Sequence, residues 1–296
     1  MAFPSDIIAM WGEPPPLYFY CGDTATGRES MSLIAELFWA TLIVGGLTFI
    51  AVAGALLVRR WAPVEVLERH NEVAGFIYSV IGVMYAVLLG FTAIIVWERY
   101  DQAQAEVEKE ANVLGDLFRD AQAFPDDTRR ELETKLRTYA KLVVEKEWPA
   151  MAEHHSSPEA HDAYNQIWQT YYRFTPQNEQ ERVWYTQSLT RLNQLSDQRR
   201  LRMLSSRSGG VPSVMWGVLL GAGAITIGFS YLFGMRNTVA QVLMTAGLAM
   251  TIALVLLSIL ALEQPFAGIT RIQPDAFTQL AGIFKDFSQP GADESR

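Results

Sequence analysis

A chain of 296 residues with 32 acidic against 24 basic side chains, net charge −8, lacks the basic face that a nucleic-acid partner requires. Its single cysteine, Cys21, excludes an intrachain disulfide and any cysteine-based metal site. Half of the residues are hydrophobic, yet mean hydropathy is only +0.09, so apolar and polar residues are segregated into blocks.

Residues 1–32 hold Pro14-Pro15-Pro16 and the acids Asp6, Glu13, Asp23 and Glu29, with Arg28 as the only base. That composition lacks the basic start and apolar centre of a signal peptide and predicts an irregular tail. Two apolar runs follow, Leu33–Val58 and Phe76–Trp97, and two more lie near the other end, Val214–Phe233 and Val239–Leu262. Each is 20 or more residues long and nearly free of charge. At about 1.5 Å per residue, roughly 20 helical residues cross the ~30 Å hydrocarbon core of a bilayer. A helix satisfies its own backbone hydrogen bonds, so four membrane-spanning helices are expected. Arg59–Gly75 links the first pair and carries Arg59, Arg60, Pro63 and Arg69. Gly234–Thr238 links the second pair and allows only a tight antiparallel return.

Between the two hairpins, residues 98–210 read as helical throughout. After Trp97 neither glycine nor proline occurs until Gly115, and apolar residues recur at Ala103, Val107, Ala111, Leu114 and Phe118. The second span is therefore expected to run on as an amphipathic helix. Pro125 and Asp126-Asp127 start a further helix with Leu132, Leu136, Tyr139 and Val143 on one face, expected to end near Trp148-Pro149. Ser157-Pro158 and Thr175-Pro176 each offer a hydroxyl cap followed by proline, which predicts helices at about 158–174 and 176–206. Gly209-Gly210 and Pro212 break the last of these. The expected organisation is a tail at 1–32, a transmembrane hairpin at 33–97, a helical-bundle soluble domain at 98–210, a second hairpin at 211–262 and a C-terminal tail at 263–296. The fold class is all-α.

Three faces of the second span carry different chemistry. Gly82, Ala86, Gly90 and Ala93 share one face, and the third span repeats the pattern with Gly217, Gly221, Ala224 and Gly228. Small residues at this spacing let helix backbones approach closely in lipid, so both faces are read as helix-packing surfaces. Ile77, Ile81, Met84, Leu88, Phe91 and Ile95 lie opposite. A ring of them from several subunits would form a hydrophobic constriction, although lipid contact or core packing gives the same pattern. Tyr78, Tyr85 and Thr92 form a third stripe whose hydroxyls need partners if buried.

Glu36, Glu98, Arg99, Glu263 and Arg271 stand at span ends, and no ionisable residue sits at a bilayer midplane, which speaks against an ion-coupled transporter. His154, His155 and His161 with Glu153 match no zinc-site spacing and read as a solvated loop, so no metal and no cofactor is expected. Arg199, Arg200, Arg202 and Arg207 precede the third span, as an interfacial basic collar or as a site for anions or anionic headgroups. Neither GxSxG, a Walker loop nor HExxH occurs, and the chain offers no catalytic constellation.

Several segments together resemble the bestrophin-like bacterial membrane proteins: Ile77–Tyr100, Glu110-Ala111-Asn112 with Leu114, Glu147-Trp148-Pro149, Pro212–Leu220 with Trp216, and Pro265-Phe266-Ala267-Gly268. The last departs from the pattern, in which an arginine stands between Phe and Gly. The resemblance implies a distant kinship with bestrophins, pentameric anion channels with four spans and a helical domain between the second and third. The acidic calcium-binding cluster of animal bestrophins has no counterpart here. The expectation is a multi-pass protein of a cell membrane, the bacterial inner membrane by resemblance, that forms a homo-oligomer (a pentamer by resemblance only). It would pass small ions, anions favoured, along an axis lined by the second span. The alternative is a membrane-anchored scaffold or sensor whose helical domain binds a partner. By the positive-inside rule, Arg59, Arg60, Arg69 and Arg236 place the hairpin turns in the cytoplasm and the soluble domain outside. The Arg199–Arg207 cluster and the resemblance to bestrophins argue for the opposite orientation.

Overall fold

The structure, a computed structural model, describes residues 26–207, 210–268 and 270–286. The N-terminal stretch through residue 25 and the end of the C-terminal one lie outside the described residues. The chain divides into two units, 1–39 and 40–296. The first contributes the start of helix α1, Thr26–Trp61.

All described secondary structure is helical. After α1 comes α2 (Val64–Glu68), a single turn opened by Pro63 inside what reads in the sequence as a loop. Helix α3 runs unbroken from Asn71 to Asp120, beginning five residues before the apolar run. Its 50 residues correspond to about 75 Å, more than twice the ~30 Å hydrocarbon thickness, so it extends far beyond any bilayer. The remaining helices are α4 (Asp126–Leu142), α5 (Trp148–Ala152), α6 (Pro158–Arg173), α7 (Glu179–Arg207), α8 (Ser213–Ser230), α9 (Thr238–Leu262) and α10 (Asp275–Asp286). Four stretches are long and apolar enough to cross a membrane: Phe38–Trp61, the α3 run, Ser213–Ser230 and Thr238–Leu262.

Two helix boundaries differ from expectation. The helix beginning at Asp126 does not end at Trp148-Pro149. A π turn over Val143–Glu147 carries it into α5, which reaches Ala152. Proline lacks an N–H and its ring crowds the carbonyl four residues back, and a widened turn just upstream removes that conflict. Likewise Thr175-Pro176 does not cap α7. Asn178 does: its Oδ1 accepts from the Glu181 amide at 2.8 Å, while Glu181 accepts from the Gln177 amide at 2.7 Å. Asn178 thus serves as the cap in place of a hydroxyl, with Glu181 reaching back to the residue before it. Ser157 does cap α6, accepting from the Ala160 amide at 3.2 Å.

The soluble helices share one core. Ala103, Val107, Leu114 and Phe118 of α3 meet Leu192, Leu195 and Met203 of α7, Leu132, Leu136 and Tyr139 of α4, and Ile167 and Tyr171 of α6. The sequence reading gave no account of α10, whose Phe277, Leu280 and Phe284 join this core, Phe284 stacking on Phe118 at 4.2 Å. A smaller apolar cluster joins α3 to α8 and α9 through Tyr85, Leu89, Val96, Leu219, Ile252, Leu256 and Ile259.

Candidate pore face and buried ion network

Three faces of α3 are sorted by what they touch. The stripe that packs against α8 and α9 is the third, mildly polar one. Tyr85, Leu89, Thr92 and Val96 are buried, and Tyr78 stacks on Phe229 with centroids 6.1 Å apart. Thr92 returns its hydroxyl to the Leu88 carbonyl at 2.9 Å. The Tyr85 hydroxyl lies over Gly223 and finds no hydrogen-bond partner among the described residues.

The two flanking faces have little within the chain to rest on. On one side Ile77, Met84, Phe91 and Ile95 are exposed, Met84 at 70 % and Phe91 at 64 %, while Ile81 and Leu88 are half-buried at the edge of the packed stripe. On the other side Ala86 and Gly90 are exposed and Gly82 and Ala93 half-buried. A side chain added at Gly82 or Gly90 would meet nothing within 4 Å. Gly217, Gly221 and Gly228 of α8 are equally open, with Ala224 exposed beside them, because α8 turns Leu219, Gly223 and Thr226 inward instead. Small residues at helical spacing therefore identify faces with little internal contact among the described residues, and the α8 glycine that packs against α3, Gly223, lies off the small-residue face.

Polar groups fasten the membrane helices at their ends. Arg59 donates to the Met235 and Arg236 carbonyls at 2.7 and 3.0 Å and to Gln241 at 2.8 Å. Asn71 donates to the Gly234 carbonyl and accepts from its amide, both at 2.9 Å. At the domain end Glu263 accepts from the Val211 amide at 2.9 Å and from the Trp216 indole at 3.2 Å, and Arg99 donates to the Gly210 carbonyl at 3.1 Å. Glu263 and Arg99, read in the sequence as boundary markers, thus tie α3, α8 and the end of α9 together.

Below this junction lies a buried ion network that the sequence reading did not assemble. Arg202, fully buried, donates from Nε to Glu110 at 2.6 Å and from Nη2 to both Glu110 and Glu147, at 3.0 and 2.7 Å. Arg199 donates to the second oxygen of Glu147, and the Tyr139 hydroxyl donates to Glu110 at 2.6 Å. Two carboxylates face two guanidiniums, so the network carries no net charge. The Arg202 guanidinium stands over Trp148 and Phe277 at 5.5 and 5.8 Å, and the Trp148 indole donates to the Ile272 carbonyl at 3.0 Å. Burial works against the Arg202 charge, but Glu110 and Glu147 outweigh it and hold the guanidinium firmly protonated. Burial, reinforced by the Glu110 charge, pushes the Tyr139 phenol well above its ordinary range. Trp148 also meets Phe266 edge-on at 5.8 Å, so residues from three widely spaced segments, 110–112, 147–149 and 265–268, converge on one place.

The basic collar is corrected accordingly: Arg202 and Arg199 are internal ion-pair partners, and Arg200 and Arg207 remain at the surface. Among the described residues no group of three or more His, Cys, Asp or Glu side chains is placed to hold a metal ion. His154 takes the left-handed position after α5, with φ +61°, and its Nδ1–H donates to the Ser206 carbonyl at 2.8 Å. His161 lies against Tyr164 with ring centroids 6.4 Å apart.

The bestrophin-like domain pattern matches residues 45–277, most of the chain, from within α1 to the first residues of α10. The protein belongs to the bestrophin-like family. Among solved structures, a point mutant of a bacterial bestrophin homologue from Klebsiella pneumoniae is 12 % identical, with 83 % of this chain and 99 % of that one covered at a TM-score of 0.64. A second mutant of that homologue is 16 % identical over 87 % of this chain and 98 % of that one, at 0.60. A structure described as a membrane protein is 13 % identical over 83 % and 99 %, also at 0.60. At these identities the likeness is one of fold. No curated protein matches the chain. In this bestrophin-like protein, three of the segments that carry the family resemblance in sequence are those that meet at the buried network.

Proposed function

We propose that the protein is a homo-oligomeric channel of a cell membrane that passes small ions passively, with α3 lining the axis. One observation carries this reading. Helix α3 uses its middle face for its own α8 and α9, and the apolar and small-residue faces on either side, apart from Leu88 and Ala93 at their edges, meet little among the described residues. In a ring of subunits, one such face meets the axis and the other permits close approach of a neighbour, as does the open glycine face of α8. Ile77, Ile81, Met84, Leu88, Phe91 and Ile95 then form the constriction. Family membership supports the channel reading, and the resemblance to pentameric anion channels supports five subunits and anions. The two hairpins at 33–97 and 211–262 would anchor the soluble helices of 98–210.

Ion flux from proteoliposomes of the purified protein tests the proposal. Chloride release that exceeds that of empty vesicles supports it, and silence across voltage, pH and salt would shift the account to a scaffold. Orientation is a separate part of the proposal. Arg59, Arg60, Arg69 and Arg236 favour cytoplasmic hairpin turns and an external domain, and the opposing cluster loses Arg199 and Arg202 to internal pairing. Single cysteines placed by Ser156→Cys and Arg60→Cys in a Cys21→Ser background test it. Labelling of intact cells at 60 but not at 156 would reverse the orientation.

A further inference from the structure

Three arginines of the 199–207 segment meet in a pocket to which the channel reading assigns no role. The cavity, about 250 Å³, lies between the loop before α6, α6 itself and α7. Arg199, Arg200 and Arg207 line it with His161 and the hydroxyls of Ser156, Tyr164 and Ser196, and among the described residues no carboxylate lines it. Each guanidinium has capacity to spare. Arg199 gives Nη2 to Glu147, but its Nε is buried without a hydrogen-bond partner. Arg207 donates to the Ser156 hydroxyl at 3.1 Å and, among the described residues, pairs with no acid. Arg200 bridges to Asp197 at 2.8 Å with both side chains largely in water, where such a pair is worth little and is readily exchanged.

Three cations grouped around hydroxyls, with no acid in the lining, favour a ligand with several anionic oxygens. Guanidinium forks match phosphate oxygens in pairs. The cavity is smaller than the ~300–1,000 Å³ typical of sites for drug-sized ligands, which suits a phosphate group rather than a nucleotide. Its place suits the same chemistry. Arg207 ends α7 six residues before α8, a membrane-span candidate, begins at Ser213, and the exposed Leu204 stands beside the pocket. The polar headgroup layer occupies roughly 5–7 Å on each side of the hydrocarbon, next to this end of α7.

We propose that this pocket binds a phosphate group, either free or as the headgroup of an anionic lipid. The His154 bond to the Ser206 carbonyl holds the Ser156 loop against α7 and so keeps the site assembled. The readout is binding rather than flux, so the outcome does not depend on whether the protein conducts. Purified full-length protein is titrated with inorganic phosphate by calorimetry. Separately, it is reconstituted with phosphatidylcholine–phosphatidylglycerol vesicles, re-extracted, and assayed for retained lipid. Saturable binding of inorganic phosphate indicates the free ion. Selective retention of phosphatidylglycerol without phosphate binding indicates the lipid. In either case the Arg200→Gln/Arg207→Gln double variant should bind at least tenfold more weakly. Ser156→Asp, which sets an acid beside Arg207, should do the same with folding unchanged. Arg173→Gln, which removes a cation elsewhere on the surface, should bind as wild type. No binding of either probe, or equal loss in Arg173→Gln, would overturn the proposal.

Discussion

Replacing Arg202 with methionine should be among the most damaging single changes in the soluble domain. The side chain is fully buried and makes three charged hydrogen bonds, two to Glu110 and one to Glu147. Methionine nearly preserves the volume but leaves Glu110 with only the Tyr139 hydroxyl, and Glu147 with only Arg199. Breaking a buried pair while its partner stays charged costs about 3–5 kcal/mol. At roughly 2–4 °C per kcal/mol for a chain of this class, the apparent Tm in detergent should fall by about 6–20 °C. The cost comes from stranded charge rather than from lost attraction, so it should be reversible by removing the charge. The triple variant Arg202→Met/Glu110→Gln/Glu147→Gln should recover most of the loss, since neutral amides are far cheaper to bury. Thermal unfolding of the three proteins in one detergent, with oligomeric mass checked by light scattering, measures this. A single variant within about 1 kcal/mol of wild type, or a triple variant no better than the single one, would refute the reasoning.

The glycines give a paired prediction. Gly223→Leu should disrupt folding of the chain itself, because even a Cβ there would lie 2.7 Å from the Tyr85 hydroxyl. Gly221→Leu should leave the chain folded and lower the oligomeric mass on sizing with light scattering; an unchanged mass would remove the α8 face from the subunit interface. Acid sensitivity should trace in part to Glu131, whose carboxyl is held below the ordinary range first by the Lys135 hydrogen bond, which burial opposes, and then by the Thr170 hydrogen bond and the charges of Lys135 and Arg173. A depressed carboxyl contributes stability above its unfolded pKa, ~4.3, and loses it as pH falls through the lower folded value. The Tm gap between wild type and Glu131→Gln should therefore narrow below about pH 4, and a gap that widens would contradict the assignment.

Much of the fold was legible because membrane spans and amphipathic helices leave strong periodic signals. Ala103, Val107, Leu114 and Phe118 announce the α3 extension, and all four are buried. Helix ends were less legible, since Pro149 ends a helix only where no π turn relieves it, and Asn178 with Glu181 competes with Thr175-Pro176 for the same cap. Helix α10 escaped notice although Phe277, Leu280 and Phe284 are spaced for one face, because a short run after the last span reads like tail. The network escaped for a different reason. Glu110, Glu147 and Arg202 are separated by up to 92 positions, and a charge in an amphipathic helix looks solvated until a partner is found. The faces of α3 were separable by type, but the choice of Tyr85 and Thr92 for internal packing depends on Gly223 opposite, which one helix alone cannot reveal.

The central claim is that the Met84 face of α3 borders the ion path and the Ala86 face does not. Thiol accessibility during conduction tests it most directly. In a Cys21→Ser background, Met84→Cys, Phe91→Cys and Ala86→Cys proteins are reconstituted in planar bilayers and treated with a charged methanethiosulfonate reagent. The account predicts that current falls on modification at 84 and 91, is restored by reducing agent, and is unaffected at 86. Block at 86 with none at 84 or 91, or no current from any of the proteins, would contradict it.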